Sequence, residues 1–208
     1  MNFFGHAAVS SWAGAARDGV LGSMVPDFES MTRVRVLDVH GDPIQRGIEF
    51  HHQTDDAFHR GPVFLSLCRR ALNELGERGV RRGTARAVAH IGTEMFLDGF
   101  LADEASHREA YLDALAGHYP GGIDWEDGGA AFEELRGRLR RWGAPHDYRD
   151  PSFVLDRLRG ALRDRPKLAV IDEQRSAVAR FLPSLQEAVV AEAPELLNDL
   201  RDTLGLSG

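Results

Sequence analysis

Helix start and stop signals divide most of this chain into amphipathic segments. Asp42-Pro43 is typical of a helix start, since aspartate caps free backbone N–H groups and proline suits the first helical position. Gly61-Pro62 ends the same segment, and apolar residues recur every three or four positions in the segments that follow. The pattern predicts helices over 43–60, 63–75, 85–101, 104–117, 129–142 and 151–164, and two or three shorter helices within 172–204. Pro183 and Pro194 divide the last stretch, because proline interrupts helical hydrogen bonding.

Strand signals are almost absent from the sequence. Only residues 33–39 alternate between apolar and polar side chains, and no second alternating segment offers a partner, so we expect a loop there. Residues 119–128 and 143–151 contain several glycines and prolines and are predicted as loops. The sequence therefore predicts an all-α protein, with residues 1–208 forming a single helical bundle domain of about seven to nine helices.

Composition limits the classes of protein to which this chain belongs. Its 208 residues are 43% hydrophobic, which suits one folded domain and argues against a disordered chain. The net charge of −7 disfavours binding to nucleic acid, and no apolar run approaches the roughly 20 residues needed to cross a membrane. Cys68 is the only cysteine, so no internal disulfide can form, and residues 1–6 do not resemble a secretory signal. We therefore expect a cytoplasmic protein that binds neither nucleic acid nor membranes.

Histidine is the residue type that suggests chemistry. Six of the nine histidines lie within the first 90 residues, and three of them share the predicted helix 43–60. Spacings of three and four residues create one stripe about 12 Å long on this helix. The stripe consists of His51, His52, Asp55 and His59. Imidazole and carboxylate in this arrangement suit zinc, iron or manganese better than calcium or magnesium. A solvated surface helix with local His–Asp hydrogen bonds explains the same pattern.

A second stripe lies on the predicted helix 85–101. His90, Glu94 and Asp98 follow one another at intervals of four residues, and most of the residues around them are apolar. A buried charge is costly unless it is paired or bound to a metal. An imidazole one turn from a carboxylate inside an apolar helix is a ligand pattern of di-metal helical bundles. The alternatives are a hydrogen-bonded His–Glu pair in the core, and Asp98 at the exposed edge of the helix.

Two residues nearer the start of the chain are weaker candidates for metal ligands when each is taken alone. His6 lies in the apolar segment 3–9, where a hydrogen-bonded core histidine is the default interpretation. Asp27 follows Pro26 in the apolar segment 21–28, where an aspartate usually caps a helix or occupies a turn.

Four short segments of the chain contain most of these candidate residues, and their order along the chain is informative. They are Met-Asn-Phe-Phe-Gly-His at 1–6, Leu-Gly-Ser-Met-Val-Pro-Asp-Phe at 21–28, Gly-Ile-Glu-Phe-His-x3-Asp at 47–55 and His-Ile-Gly-Thr-Glu-Met-Phe-Leu at 90–97. Together they resemble the motifs of the acyl carrier protein phosphodiesterase family, over residues 1–101, with only helical character in common beyond that. The resemblance implies an HD-related all-α fold. It also implies manganese-dependent hydrolysis of the phosphodiester that links 4′-phosphopantetheine to a serine of acyl carrier protein.

The resemblance also implies which residues hold the metal ion. Four residues match motif positions of the family: His6, Asp27, His51 and Asp55. His90 and Glu94 stand where the family has two aspartates, and both can bind a metal. The predicted ligands are therefore His6, Asp27, His51, Asp55, His90 and Glu94, of which about four to six are used in metal binding. The set exceeds the needs of one ion and so allows a second.

Three departures from the family pattern change the ligand chemistry. Met95 replaces a histidine and cannot bind a hard metal ion, His52 stands where the family has arginine, and Phe58-His59 replaces Thr-Asp. The ligand set is richer in nitrogen than that of the family, so manganese is the expected ion and iron or zinc are alternatives. His52 and His59 are the predicted catalytic residues, which orient water or protonate the leaving oxygen.

A metal-dependent phosphohydrolase is the function that these predictions favour. A cation held by histidine and carboxylate ligands with an open position activates water and neutralises phosphate charge. The expected substrate is holo-acyl carrier protein or a small phosphoester. Residues 60–90 carry seven arginines and two glutamates. We predict that Arg69, Arg70, Arg82 and Arg86 bind an acidic partner, although an ordinary solvated helical surface explains the same charges.

Two other functions are compatible with the same residues. The nitrogen-rich ligand set favours an HD-like oxygenase or redox protein with an iron or di-iron centre. Met95 in place of a histidine favours a non-catalytic helical protein whose ancestral site has decayed and which acts through protein interactions. Both catalytic hypotheses require that imidazoles and carboxylates from four separated segments meet around a common cation.

Overall fold

The computed structural model describes residues 1–117, 119 and 122–206. Within these residues the chain forms nine α-helices and one short 3-10 helix, so the predicted all-α class is confirmed. The α-helices are α1 (Phe3–Trp12), α2 (Arg17–Thr32), α3 (Asp42–Arg60), α4 (Pro62–Glu77), α5 (Arg82–Leu101), α6 (Ala105–Ala116), α7 (Ala130–Trp142), α8 (Pro151–Leu162) and α9 (Asp172–Thr203). The 3-10 helix spans His146–Arg149.

The helix boundaries follow the start and stop signals in the sequence. Helix α3 begins at Asp42 and ends at Arg60, next to Gly61, and Pro62 then occupies the first position of α4. Helix α8 starts in the same way, because the Asp150 side chain accepts a hydrogen bond of 2.8 Å from the Ser152 N–H and Pro151 follows the cap. The six single helices predicted between residues 43 and 164 are therefore confirmed with boundaries shifted by at most a few residues.

The chain contains one small sheet that the sequence analysis predicted as loops. Strand β1 (Val36–Val39) pairs antiparallel with β2 (Ile123–Trp125), with Val36 opposite Trp125 and Val39 opposite Ile123. The loop predictions for 33–39 and 119–128 were therefore wrong over these residues, whereas residues 120 and 121 lie outside the described part. A three-residue strand is too short to show alternation, and the pairing joins segments far apart in sequence.

Helix α9 is continuous, although two or three shorter helices were predicted in this stretch. It spans 32 residues, or about 48 Å, with Pro183 and Pro194 inside it. Its buried side chains recur at helical spacing on both sides of each proline: Val178, Leu182, Leu185, Val189, Ala193 and Leu196. Continuous apolar packing therefore outweighs the local cost of the prolines. In the part of the chain that the structure describes, neither α9 nor any other helix combines the length and apolarity needed to cross a bilayer.

The described chain divides into two compact units, here called unit 1 and unit 2. Unit 1 contains the described residues of Met1–Ala57, Leu101–Pro145 and Leu204–Gly208, and unit 2 contains Phe58–Phe100 and His146–Thr203. The expectation of a single domain stays a prediction.

Aromatic side chains from several helices form much of the core of unit 1. The ring of Phe4 on α1 meets Tyr111 on α6 edge to face, with centroids 5.1 Å apart. Phe28 on α2 lies 6.0 Å from Phe132 on α7, which stacks on Trp125 of β2 at 5.1 Å. These contacts hold α1 and α2 against α6 and α7 and so support the residues described below.

Leucines from four helices dominate the core of unit 2. Leu67 on α4, Leu97 on α5, Leu158 on α8 and Leu182 on α9 are each at most 1% exposed. Gly92 allows α5 to approach α9 closely, because a Cβ atom at this position would lie 3.1 Å from a methyl carbon of Leu185. Helix α5 is thereby packed on its apolar side, which orients its remaining polar side chains.

Candidate metal sites

Two glycines bring α2 and α3 into backbone contact within unit 1. A Cβ atom on Gly22 would lie 2.2 Å from the carbonyl oxygen of Ile44, and one on Gly47 would lie 2.2 Å from that of Gly19. Only glycine fits at both positions, because the obstacle in each case is backbone. The crossing places Ser23, which follows Gly22, beside His51, which lies one turn after Gly47.

His51 is held in a defined orientation at this crossing. Its side chain is buried, and Nδ1 donates a hydrogen bond of 2.9 Å to the Ser23 carbonyl oxygen. Because the carbonyl can only accept, the proton of a neutral ring lies on Nδ1 and the lone pair on Nε2. Burial lowers the pKa of His51, which favours this neutral form. Histidine ligands of metals are usually oriented by a hydrogen bond of this kind.

His6 lies against His51 and is also neutral. His6 is 1% exposed to solvent. Its ring stacks on the ring of His51, with centroids 3.8 Å apart and an interplanar angle of 27°. Burial lowers the pKa of His6 to about 3. Nε2 lies 3.2 Å from Asp55 Oδ1, but among the described residues neither ring nitrogen has a partner in hydrogen-bond geometry. A buried imidazole in this state is unusual in a folded protein and is available as a ligand.

Asp27 completes a group of three possible ligands. It lies one turn after Ser23 in α2, which continues through Pro26, so the expectation of a cap or turn at Asp27 was wrong. One ligand atom from each of His6, Asp27 and His51 lies within 4.8 Å of the others. We call these three residues the first cluster. Each comes from a different helix, so the tertiary structure of unit 1 assembles it.

Asp55 borders the first cluster from the next turn of α3. Its Oδ1 atom lies 3.2 Å from His6 Nε2 and 2.6 Å from the amino group of Met1. Burial acts to raise the pKa of Asp55, but the contacts with His6 and Met1 outweigh burial and hold the pKa below its ordinary value. The structure thus brings together, within unit 1, the four residues that the family resemblance implies as ligands.

A second group of three possible ligands lies in unit 2. His90 and Glu94 are one turn apart on α5, and His59 belongs to the end of α3, which is part of unit 2 from Phe58 onward. Glu94 Oε1 lies 3.0 Å from His59 Nε2 and 3.1 Å from His90 Nε2. We call these three residues the second cluster.

The second cluster is partly covered by aromatic side chains. The His59 and His90 rings stack with centroids 4.8 Å apart, and the Phe64 ring meets each of them edge to face at 5.2 Å. The Glu94 residue is 9% exposed. Burial acts to raise the pKa of Glu94, but hydrogen bonds from His59 and His90 help to hold it well below its ordinary value. Glu94 is therefore ionised at neutral pH, the state in which a carboxylate can bind a metal.

The remaining predicted residues differ in where the structure places them. His52 is exposed and meets the His51 ring edge to face at 5.3 Å. Asp98, for which the exposed edge of α5 was the alternative interpretation, is fully buried and does not belong to either cluster. His59, expected to act in catalysis beside the metal, is placed among the possible ligands of the second cluster. The predicted partner-binding residues Arg69, Arg70, Arg82 and Arg86 are all exposed, and Arg70 pairs with Glu192.

Both clusters have the same donor set, two imidazoles and one carboxylate. This set suits zinc, iron and manganese, and three protein ligands leave positions for water or a substrate. Metal binding requires deprotonated ligands, which the first cluster offers because burial keeps His6 and His51 neutral. The meeting of all six predicted ligands around one cation stays a prediction.

No protein-family model, no curated protein and no solved structure matches this chain.

Proposed function

We propose that the protein is a metal-dependent phosphohydrolase that holds a divalent cation at the first cluster and cleaves a phosphodiester. The observation that carries this proposal is the pair of buried, neutral imidazoles beside a carboxylate, with Nε2 of His51 left free for a ligand bond. The motif resemblance supplies the substrate class, the phosphodiester that joins phosphopantetheine to a serine of acyl carrier protein.

The residues around the first cluster fit the needs of this reaction. Bound there, manganese or another divalent cation would lower the pKa of a water ligand and neutralise phosphate charge. Asp55 is ionised and lies beside His6, where its carboxylate can accept a hydrogen bond from the attacking water and so orient it. His52 is exposed next to His51, and its imidazole can protonate the leaving oxygen.

A cleft in unit 1 lies next to this region, and none of the residues of the first cluster lines it. Its volume is about 530 Å³, and its walls include Ser10, Gly19 and Gly47 together with Arg46 and Phe50. Ser10 lies one helical turn from His6, Gly47 one turn from His51 and Gly19 one turn from Ser23, so the cleft follows the same helix faces as the ligands. The walls carry Arg46 and Glu49 beside small residues such as Gly19 and Gly47, so the cleft offers both charged and small contacts to a substrate.

Hydrolysis by metal-reconstituted protein tests the proposal. After removal of metal with a chelator, added Mn²⁺ is expected to restore cleavage of bis(p-nitrophenyl) phosphate and release of phosphopantetheine from holo-acyl carrier protein. The variant His51→Ala is expected to lose activity by about 100-fold or more, because it removes a ligand. His40→Ala is the matched control, since His40 is an exposed histidine of unit 1 that pairs with Asp124 at 2.9 Å.

Two outcomes contradict the proposal. One is full phosphodiesterase activity in the His51→Ala variant. The other is the absence of hydrolysis when Mn²⁺ is bound at the first cluster. Cleavage of the generic diester without release of phosphopantetheine would retain the hydrolase and reject the family substrate.

The donor set supports one alternative, a non-haem iron oxygenase. Two histidines and one carboxylate with open positions form the ligand set of many Fe(II) oxygenases, and both clusters have this composition. Stoichiometric iron in protein purified without oxygen, together with oxygen consumption by that protein, would favour this function. Purified protein that contains no iron and gains hydrolytic activity only with Mn²⁺ would exclude it.

A further inference from the structure

We propose that the second cluster is a cation site of its own, held by His59, His90 and Glu94. The proposed hydrolase uses only the first cluster, so this site adds a second metal-binding function to the molecule. The donor chemistry points to a borderline transition metal, Zn²⁺ or Fe²⁺, because two of the three donors are imidazole nitrogens. Calcium and magnesium prefer sites made of oxygen ligands only.

The placement of the three residues on their helices favours a pre-formed site. His90 and Glu94 lie four residues apart in the middle of α5, so a rigid helix presents both side chains on one face. His59 is the next-to-last residue of α3, and the following Gly61-Pro62 ends that helix. Two ligands from one helix and a third from another element need little rearrangement to close around an ion.

The interatomic distances match those between ligands of a bound metal. Zinc binds nitrogen and oxygen at about 2.0–2.1 Å, which places neighbouring ligand atoms roughly 2.8 Å apart in octahedral geometry and up to roughly 3.4 Å apart in tetrahedral geometry. The Glu94 Oε1 atom lies 3.0 Å from His59 Nε2 and 3.1 Å from His90 Nε2. Both imidazoles point their Nε2 atoms toward the same carboxylate oxygen, and an ion can be inserted there with small side-chain rotations.

Burial and exposure indicate an open site with an exchangeable ligand. The Glu94 side chain is 11% exposed, whereas those of His59 and His90 are 29% and 43% exposed. The carboxylate is thus largely removed from water, where a cation compensates its charge well. The imidazoles leave a solvent-facing side through which metal and water can enter. Three protein ligands and an accessible position are typical of catalytic rather than structural zinc.

Metal stoichiometry tests this site directly. Protein stripped with a chelator is loaded with Zn²⁺ or Co²⁺, separated from free metal and analysed for metal content. We expect two equivalents per chain in the wild type, and one in each of two double variants, His59→Ala/His90→Ala and His6→Ala/His51→Ala. In the Co²⁺ form, the visible d–d absorbance of each double variant should fall to the contribution of the site that it retains.

Matched variants separate loss of the site from loss of the fold. Glu94→Gln keeps the shape of the side chain and removes its charge, so Zn²⁺ affinity at this site should fall about 10- to 100-fold while circular dichroism stays unchanged. His146→Ala, which changes an exposed histidine of unit 2, should keep two equivalents. The proposal is overturned if folded His6→Ala/His51→Ala binds no Zn²⁺, or if folded His59→Ala/His90→Ala or Glu94→Gln binds Zn²⁺ as the wild type does. Metal counting needs no phosphodiester, so failure of the hydrolase proposal would leave this result unaffected.

Discussion

The buried imidazole of His6 makes the protein sensitive to acid. An unfolded chain binds a proton at histidine near pH 6.5, whereas burial lowers the pKa of His6 in the folded protein to about 3. Between these two values the unfolded state holds more protons than the folded state. The free energy of unfolding therefore falls as the pH is lowered through this window, and the full stability is present above it.

Replacing His6 with a residue that does not titrate should reduce this acid sensitivity. In metal-free protein, we expect the wild type to lose about 2 kcal/mol more stability than His6→Gln between about pH 7 and about pH 4.5. Urea unfolding at several pH values measures the difference. Measurements stay above the range in which Asp55 titrates, since the pKa of that carboxyl is lowered from an ordinary value of 3.8. Parallel pH profiles for the two proteins would contradict this, because they would mean that His6 has an ordinary pKa in the folded state.

Some site residues could be predicted from the sequence and others could not. The motif resemblance named His6, Asp27, His51 and Asp55, and these residues lie together in unit 1. The role of His59 was harder to see, because its neighbours His90 and Glu94 lie on another helix more than 30 residues away. The burial of Asp98 could not be predicted, because its spacing of four residues after Glu94 is the same whether this turn of α5 is exposed or covered.

At the level of elements, the crossing of α2 and α3 controls the first cluster. We predict that Gly22→Ala destabilises the protein by about 2 kcal/mol or more, because its Cβ atom would meet the Ile44 carbonyl at 2.2 Å and push the helices apart. The same shift would lengthen the hydrogen bond from His51 to Ser23, so affinity for Mn²⁺ should fall as well. Urea unfolding and metal titration measure the two effects.

Gly160→Ala is the matched control for this substitution. Gly160 lies inside α8, and a Cβ atom there would have no heavy atom within 4 Å. Alanine favours a helix over glycine, so this variant should be more stable than the wild type by up to about 1 kcal/mol and should keep its metal affinity. If Gly22→Ala behaved in the same way, the close approach of α2 and α3 would not be needed for the fold or the site.

The helices were more predictable than the small sheet because their signals are local. Aspartate and proline mark the start of α3 and α8 within a few residues, and apolar spacing continues inside each helix. The pairing of β1 with β2 depends on residues more than 80 positions apart, and β2 is only three residues long. In α9, local proline signals predicted a break, but the apolar stripe on both sides of Pro183 and Pro194 maintains one helix.

For the whole molecule, the two proposed metal sites predict that metal stabilises the protein by binding only the folded state. At a free metal concentration about 100 times the dissociation constant, each site adds about 2.7 kcal/mol to the free energy of unfolding. We therefore expect Zn²⁺ to raise the midpoint of thermal unfolding of chelator-treated wild type, and excess chelator to reverse the increase. The variants His6→Ala/His51→Ala and His59→Ala/His90→Ala should each show a smaller increase, and the combined fourfold variant none. An equal Zn²⁺ effect in the wild type and the fourfold variant would mean that the metal binds elsewhere, since neither cluster would then be responsible for the stabilisation.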